Sequence, residues 1–261
     1  MALEALIFDL DGTMADTEEG HRQAFNAAFL EHSLFWDWDR PRYTELLKIS
    51  GGHERLAAYV EALQVPEDEK ARLREMVGPI HRTKTRIYNE LITEGKVPFR
   101  HGVARLLREA RAAGRQRAIV ATTAAANVTP LVTNALGEDA YYWFKAIVSA
   151  EHVAHKKPAP DLYRLALSEL ALSASECVAF EDSASGVRAA KAAGLYTIVT
   201  PTLWTRQQDL AGGDLFLYDL GEPNAPLDLR GSSMVGAPYL GLAQLVQLHA
   251  AAMERAAAPA G

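Results

Sequence analysis

A single cysteine, Cys177, stands among 261 residues, so no internal disulfide can form and a reducing compartment is expected. Long apolar runs are missing as well. The N-terminal one is cut short by Asp9 and Asp11, so neither a secretory leader nor a membrane span is expected there. Basic residues are not gathered into one block and the net charge is -6, which argues against a nucleic-acid footprint. No glycine-rich loop ends in Gly-Lys-Ser or Gly-Lys-Thr, which disfavours an ATP-driven kinase. His152 and His155 have no further soft ligand beside them, so a zinc site is not expected. No internal repeat is visible. These absences point to a cytoplasmic protein, expected to be monomeric, that meets neither membrane nor nucleic acid and must neutralise any acidic substrate locally.

The chain has two composition zones. Residues 1 to 13 and roughly 100 to 220 alternate short apolar runs with helical patterns, as in a parallel sheet covered by helices. The runs are Ala5 to Phe8, Arg117 to Ala121, Phe144 to Val148, Cys177 to Phe180, Tyr196 to Thr200 and Leu215 to Tyr218. Between them, Asp16 to about Thr93 holds no convincing strand and reads as several helices. The expected fold is α/β: a Rossmann-like, doubly wound parallel sheet core, residues 1–15 and 97–261, with an inserted all-helical cap domain over 16–96. Asp16 and Glu19 read as a capping pair ahead of the amphipathic stretch His21 to Leu30. The segments Met14 to Glu18 and Lys96 to Arg100 are the hinge candidates. The Gly-, Pro- and Ser-rich stretch Gly221 to Pro238 reads as irregular, and Tyr239 to Ala257 as a final helix.

Four polar signals sit at strand ends. The run Leu6-Ile7-Phe8-Asp9-Leu10-Asp11-Gly12-Thr13 closes on two carboxylates which alternation places on one side of the chain. A divalent cation with oxygen ligands would neutralise them, leaving one to attack phosphorus and the other to handle a proton. An acidic surface turn is the plain alternative. The second signal, Thr122-Thr123 after Ala121, offers hydroxyls to a phosphate oxygen. The third places Lys157 in a loop before a helix, where its ammonium can neutralise a carboxylate and a phosphate, unless it is simply solvated. The fourth, Glu181-Asp182, repeats the charge at a strand end, although Asp182 alone would also serve as an N-cap.

The order Asp-x-Asp-Gly-Thr, Thr122, Lys157-Pro158, Glu181-Asp182 resembles the haloacid dehalogenase superfamily, and the helical insertion is similar to that superfamily's cap. The resemblance implies that Asp9 is the nucleophile and Asp11 the general acid, then base. Thr122 and Lys157 would hold phosphate oxygens. Mg²⁺ would bind Asp9, Asp182 and the backbone carbonyl of Asp11, with Glu181 in its outer sphere. It also implies a cap that closes over the site.

Asp16-Thr17-Glu18 with His21, and Lys157-Pro158-Ala159-Pro160-Asp161, resemble the branch of β-phosphoglucomutase and the CbbY-like sugar-bisphosphate phosphatases. Glu18 and His21 lie three apart on one helical face. Gly51-Gly52 with His53 opens a helix start suited to an anion, and Arg55 stands later than the mutase pattern places its arginine. Arg42, His53, Arg55 and Lys84 are candidates for a second phosphate. The Trp36-Asp37-Trp38-Asp39 stretch resembles CbbY proteins, although it would equally serve as cap packing. That likeness implies removal of the 1-phosphate from a pentulose bisphosphate such as xylulose 1,5-bisphosphate. A sugar phosphomutase is the nearest alternative, and a phospho-receiver signalling module the alternative from another class.

Overall fold

The computed structural model describes residues 2–49, 51–121 and 128–257. They divide into two compact units, one of residues 1–16 and 98–261 and one of residues 17–97. Asp16 belongs to the first and Val97 to the second.

The first strand, β1 (Ala5–Asp9), is buried along its whole length. The chain then builds the helical unit from α1 (Thr17–Glu31), α2 (Arg40–Leu46), α3 (Gly52–Ala62) and α4 (Glu67–Thr93). Asp39 starts α2, its Oδ1 accepting from the Arg42 backbone N–H at 2.8 Å, with a proline in the first turn. Three acidic residues, Glu67, Asp68 and Glu69, occupy the first turn of α4 and complement its dipole. In α1 the buried positions Gly20, Ala24, Phe25, Ala28 and Phe29 form one stripe. The facing stripe of α4 is Leu73, Val77, Ile80, Lys84, Tyr88 and Ile92. A Cβ at Gly20 would come within 3.0 Å of Val97 and 3.3 Å of Tyr88, so glycine sets this close approach. Trp38 is fully buried among Phe25, Phe29 and Tyr59, with ring centroids 4.6, 5.0 and 5.2 Å away. The Trp-Asp stretch thus packs this unit: Asp37 Oδ1 accepts from Asn26 Nδ2 at 2.7 Å, and Asp39 is the α2 cap.

The chain returns with α5 (Val103–Ala112), β2 (Gln116–Ala121), α6 (Val128–Leu136), β3 (Ala146–Ser149), α7 (Asp161–Leu170), β4 (Cys177–Glu181), α8 (Ala184–Ala192), β5 (Tyr196–Val199) and β6 (Leu215–Phe216). Two helices follow, α9 (Leu229–Val235) and α10 (Leu242–Ala257). All strand pairs are parallel, in the order β3-β2-β1-β4-β5-β6. This is the doubly wound arrangement whose crevice opens at the carboxyl ends of the central strands. All six expected strands are present. They were readable because strands buried on both faces are continuous apolar runs. The stretch expected to be irregular contains α9, which Asp228 caps by accepting from Gly231 N–H at 2.6 Å. Its seven residues carry too short a periodicity to stand out from the surrounding Gly and Ser. Of the expected Asp16–Glu19 capping pair, Asp16 Oδ1 accepts from the Trp204 indole at 3.0 Å, and Glu19 pairs with Arg22 at 2.7 Å.

Register decides where the acids emerge. Phe8 of β1 lies opposite Phe180 of β4, their rings stacked 4.2 Å apart. The residue after each phenylalanine is acidic, so two carboxylates leave neighbouring strands at the same height. Phe180→Ala should therefore lower the unfolding free energy by about 3–5 kcal/mol in urea denaturation. A loss below about 1 kcal/mol would show that this ring pair does not anchor the β1–β4 seam.

Candidate active site

Asp9 ends β1, Glu181 ends β4 and Asp182 follows it. Oxygen atoms of the three lie within 4.8 Å of one another, and the residues are at most 4 % exposed. Among the described residues this is the one group of side chains able to hold a metal ion. Asp182 is not the N-cap of α8. Ser183 is, its hydroxyl accepting from Gly186 N–H at 3.2 Å, which leaves the Asp182 carboxylate to the cluster. Two glycines make the crowding sterically feasible. Gly12 turns the chain after Asp11 at φ +85°, and a Cβ there would overlap the Asp182 carboxylate; a Cβ at Gly186 would overlap that of Glu181.

One buried cation answers these acids directly. Lys157 Nζ donates to Asp9 Oδ1 at 2.6 Å and to Glu181 Oε1 at 2.5 Å. Burial opposes its charge, yet Asp9 and Glu181 hold its pKa above the ordinary lysine range. Lys156 beside it is exposed. Tyr163 of α7 also donates to Glu181 Oε1, at 2.5 Å. Glu181 therefore gathers Lys157 and Tyr163 and fixes the ammonium beside Asp9. Burial, reinforced by the Glu181 charge, pushes Asp9 up to about 8, and burial with the charges of Asp9 and Glu181 raises Asp182 as well. The Lys157 ammonium opposes that push on Asp9 without cancelling it. The donors are all oxygens, with no imidazole or thiolate among them, which suits a hard divalent cation. Such an ion would reverse the push on Asp9 and Asp182.

Three residues absent from the expected set shape the surroundings. Arg100, half-buried, donates from Nη1 to the Gly12 carbonyl and the Thr200 carbonyl, both at 2.5 Å. Its Nη2 donates to the carbonyls of Pro201 at 3.2 Å and Tyr218 at 2.5 Å. Thr205 donates to Asp182 Oδ2 at 3.0 Å. Tyr163 is the third; in sequence it is one apolar position of an amphipathic helix. Asp11 is half-buried, and its charge adds to the upward push on Asp9. Thr122 and Thr123 lie outside the described residues.

In the helical unit, the six expected side chains behave in two different ways. Glu18, His21, Arg55 and Lys84 are joined by Tyr43 and Tyr88. Tyr43 donates to Glu18 Oε2 at 3.1 Å and accepts from Arg55 Nη1 at 3.1 Å. Lys84 Nζ lies 2.9 Å from His21 Nδ1, and the His21 ring lies 3.7 Å from that of Tyr88. An ammonium has no acceptor, so His21 Nδ1 must be the unprotonated nitrogen. Burial and the Lys84 charge hold the imidazole neutral, its pKa well below the ordinary value. Arg55 further donates to the Leu46 carbonyl at 3.0 Å and the Ile49 carbonyl at 3.2 Å. Arg42 is exposed and donates instead to the Asp37 carbonyl at 3.2 Å. His53 is also exposed, its ring 5.8 Å from that of His81. Gly51, at φ +88°, and Gly52 form the start of α3, where a Cβ on Gly51 would overlap Glu54.

Comparison with known proteins places this arrangement. A sequence model of haloacid dehalogenase-like hydrolases matches residues 3–194. Protein CbbY of Cupriavidus necator is 48 % identical over 225 residues, covering 86 % of this chain and 89 % of that protein. Fructose-1-phosphate phosphatase YqaB of Escherichia coli is 30 % identical over 192 residues, covering 73 % of this chain and 92 % of that protein. Among solved structures, a mutant CbbY from Rhodobacter sphaeroides in complex with xylulose-(1,5)bisphosphate superposes with a TM-score of 0.67. It is 41 % identical, and the match covers 83 % of this chain and 94 % of that one.

Lys84 stands in an otherwise apolar stripe, and burial lowers its pKa to about 8. Below pH 8 both folded and unfolded chains carry the proton, and the folded form bears the whole cost of the buried charge. Between pH 8 and about 10.4, the ordinary lysine value, the unfolded chain binds more protons, so stability rises with pH. Lys84→Met should raise the thermal midpoint at pH 7 and flatten its rise between pH 8 and 10. An unchanged midpoint with an unchanged pH slope would show that this charge is not under strain.

Proposed function

The chain belongs to the haloacid dehalogenase-like hydrolases, and on that premise we propose that it is a Mg²⁺-dependent phosphatase acting on a small sugar bisphosphate through an aspartyl-phosphate on Asp9. The enzyme class, a phosphoric monoester hydrolase, follows from the family and its sugar-phosphatase relatives. The single observation that carries the finer reading is the buried cluster of Asp9, Glu181 and Asp182 with Lys157 donating to two of its members.

Asp9 and Asp182 would hold the metal, with the backbone carbonyl of Asp11. When bound, Mg²⁺ supplies charge to the phosphoryl oxygens and keeps both carboxylates ionised. Lys157 holds one Asp9 oxygen and leaves the other outside that ion pair, in the role of nucleophile. Lys157 and Thr122 would take phosphate oxygens, so the attacking carboxylate meets a neutralised phosphoryl group. Asp11 would protonate the leaving alkoxide and then take a proton from the attacking water, which breaks the acyl-phosphate bond and returns Asp9. Glu181, fully buried and bonded to Lys157 and Tyr163, acts by holding the lysine.

In the helical unit we assign recognition of the second phosphate and the sugar to the Glu18, His21 and Lys84 group, with Arg42, His53, Arg55 and the Gly51-Gly52 turn as further candidates. A buried ammonium bonded to a neutral imidazole offers N–H donors to an anion, and Glu18 adds a carboxylate for sugar hydroxyls. The relative bound to xylulose-(1,5)bisphosphate supports that compound, losing its 1-phosphate, as substrate.

Inorganic phosphate release over a panel of sugar mono- and bisphosphates tests the reading. Xylulose 1,5-bisphosphate should be turned over with Mg²⁺ and lost with EDTA. Asp9→Asn should lower kcat by at least about a thousandfold with the fold intact by circular dichroism. Turnover retained by that variant would refute the nucleophile assignment. Glucose 6-phosphate formed from β-glucose 1-phosphate, with no free phosphate, would identify a mutase instead.

A further inference from the structure

The segment after β5 is tied to the acidic cluster by Thr205 and to the chain flanking it through Arg100 and Gln208, contacts that the phosphatase chemistry does not assign. Thr205 Oγ accepts from the Thr202 backbone N–H at 2.9 Å and lies 3.1 Å from the Thr202 hydroxyl. Thr202 Oγ in turn accepts from Trp204 N–H at 3.1 Å. A hydroxyl has one proton to give and two lone pairs. The Thr205 hydroxyl gives its one proton to Asp182 Oδ2, 3.0 Å away, which leaves the Thr202 hydroxyl as the donor in the Thr202–Thr205 pair. The loop that carries it is fixed on either side. Arg100 grips the Thr200 and Pro201 carbonyls together with that of Gly12. Downstream, Gln208 Oε1 accepts from Ala184 N–H, two residues past Asp182, at 2.9 Å.

We propose that Thr205 is a positioning residue: it holds Asp182 Oδ2 and thereby presents Oδ1 to the metal. The inference rests on the reading of Asp9 and Asp182 as metal ligands. A carboxylate on a short side chain has one soft torsion between the two presentations, and one directed hydrogen bond from a braced loop removes that freedom. Partners of metal ligands orient those ligands, and removing one typically weakens metal binding by about 10–100-fold. Because Thr205 bonds to Asp182 and not to Asp9 or Lys157, its loss should act on metal affinity and leave saturated turnover nearly intact.

Mn²⁺ binding to the full chain, followed by electron paramagnetic resonance, separates the outcomes. Thr205→Val, which keeps the shape and loses the hydroxyl, should weaken Mn²⁺ binding about tenfold and raise the Mg²⁺ concentration for half-maximal activity in step. At saturating Mg²⁺ its kcat should stay within about twofold of the parent, and Thr205→Ser should restore affinity, since it keeps the donor. Thr205→Ala serves as the second hydroxyl-free variant if Thr205→Val does not fold. Wild-type affinity in a folded hydroxyl-free variant would overturn the inference, as would equal losses in Thr205→Ser and Thr205→Val, which would mark a packing role. Absence of Mn²⁺ binding by the unaltered chain would overturn the metal-ligand reading itself, and this inference with it.

Discussion

Three carboxylates buried within 4.8 Å of one another are the constraint around which the catalytic unit is arranged. Their mutual repulsion and lost hydration would protonate or expel them unless positive charge and donors were brought close. The chain meets this with Lys157, whose ammonium is itself almost wholly enclosed and whose charge the acids favour against the cost of burial. The balance is incomplete, since Asp9 remains raised to about 8. A site in which acid and base charges do not cancel is suited to a ligand that carries the missing charge. For the proposed phosphatase that ligand is a divalent cation together with the phosphoryl group it escorts.

The scaffold that supports the cluster is drawn from distant parts of the chain. Arg100 joins the loop after β1 to the loops after β5 and β6 through carbonyls at Gly12, Thr200, Pro201 and Tyr218. Its charge also counters the upward push of burial on Asp182. Because a guanidinium offers five donors in a rigid fork, one residue can set the spacing of several loops at once. A lysine there would keep the charge and lose most of that geometry.

The helical unit follows a related logic on a smaller scale. Its core is a nest of aromatic rings around Trp38, yet the α4 stripe that closes it includes Lys84. The ammonium is enclosed by the rings of Phe25 and Tyr88, about 5 Å from each, and bonded to a histidine held neutral. A charge placed in an apolar stripe costs stability, so its retention points to use rather than to packing.

Much of this was readable before any coordinate. The six strands stand out because doubly buried strands are unbroken apolar runs, and Asp9, Glu181 and Asp182 stand out because acids do not end such runs without cause. Lys157 was singled out from Lys156 only by the Lys157-Pro158 pair of the family resemblance; burial confirms the distinction, since Lys156 is exposed. Arg100 stood only as the end of a hinge candidate, and Tyr163 and Thr205 left no mark. Arg100 follows a Pro-Phe turn as a surface arginine would, Tyr163 fills an ordinary apolar position of α7, and Thr205 is one of several threonines in a polar stretch. Local pattern thus determined the strands, the helices and the acids that close the central strands, because periodicity and strand ends are properties of neighbours in sequence. Which lysine is buried, which hydroxyl faces Asp182 and which arginine binds the loops together depended on partners 23 to 148 residues away. Only the packed sheet brings those partners within hydrogen-bonding distance.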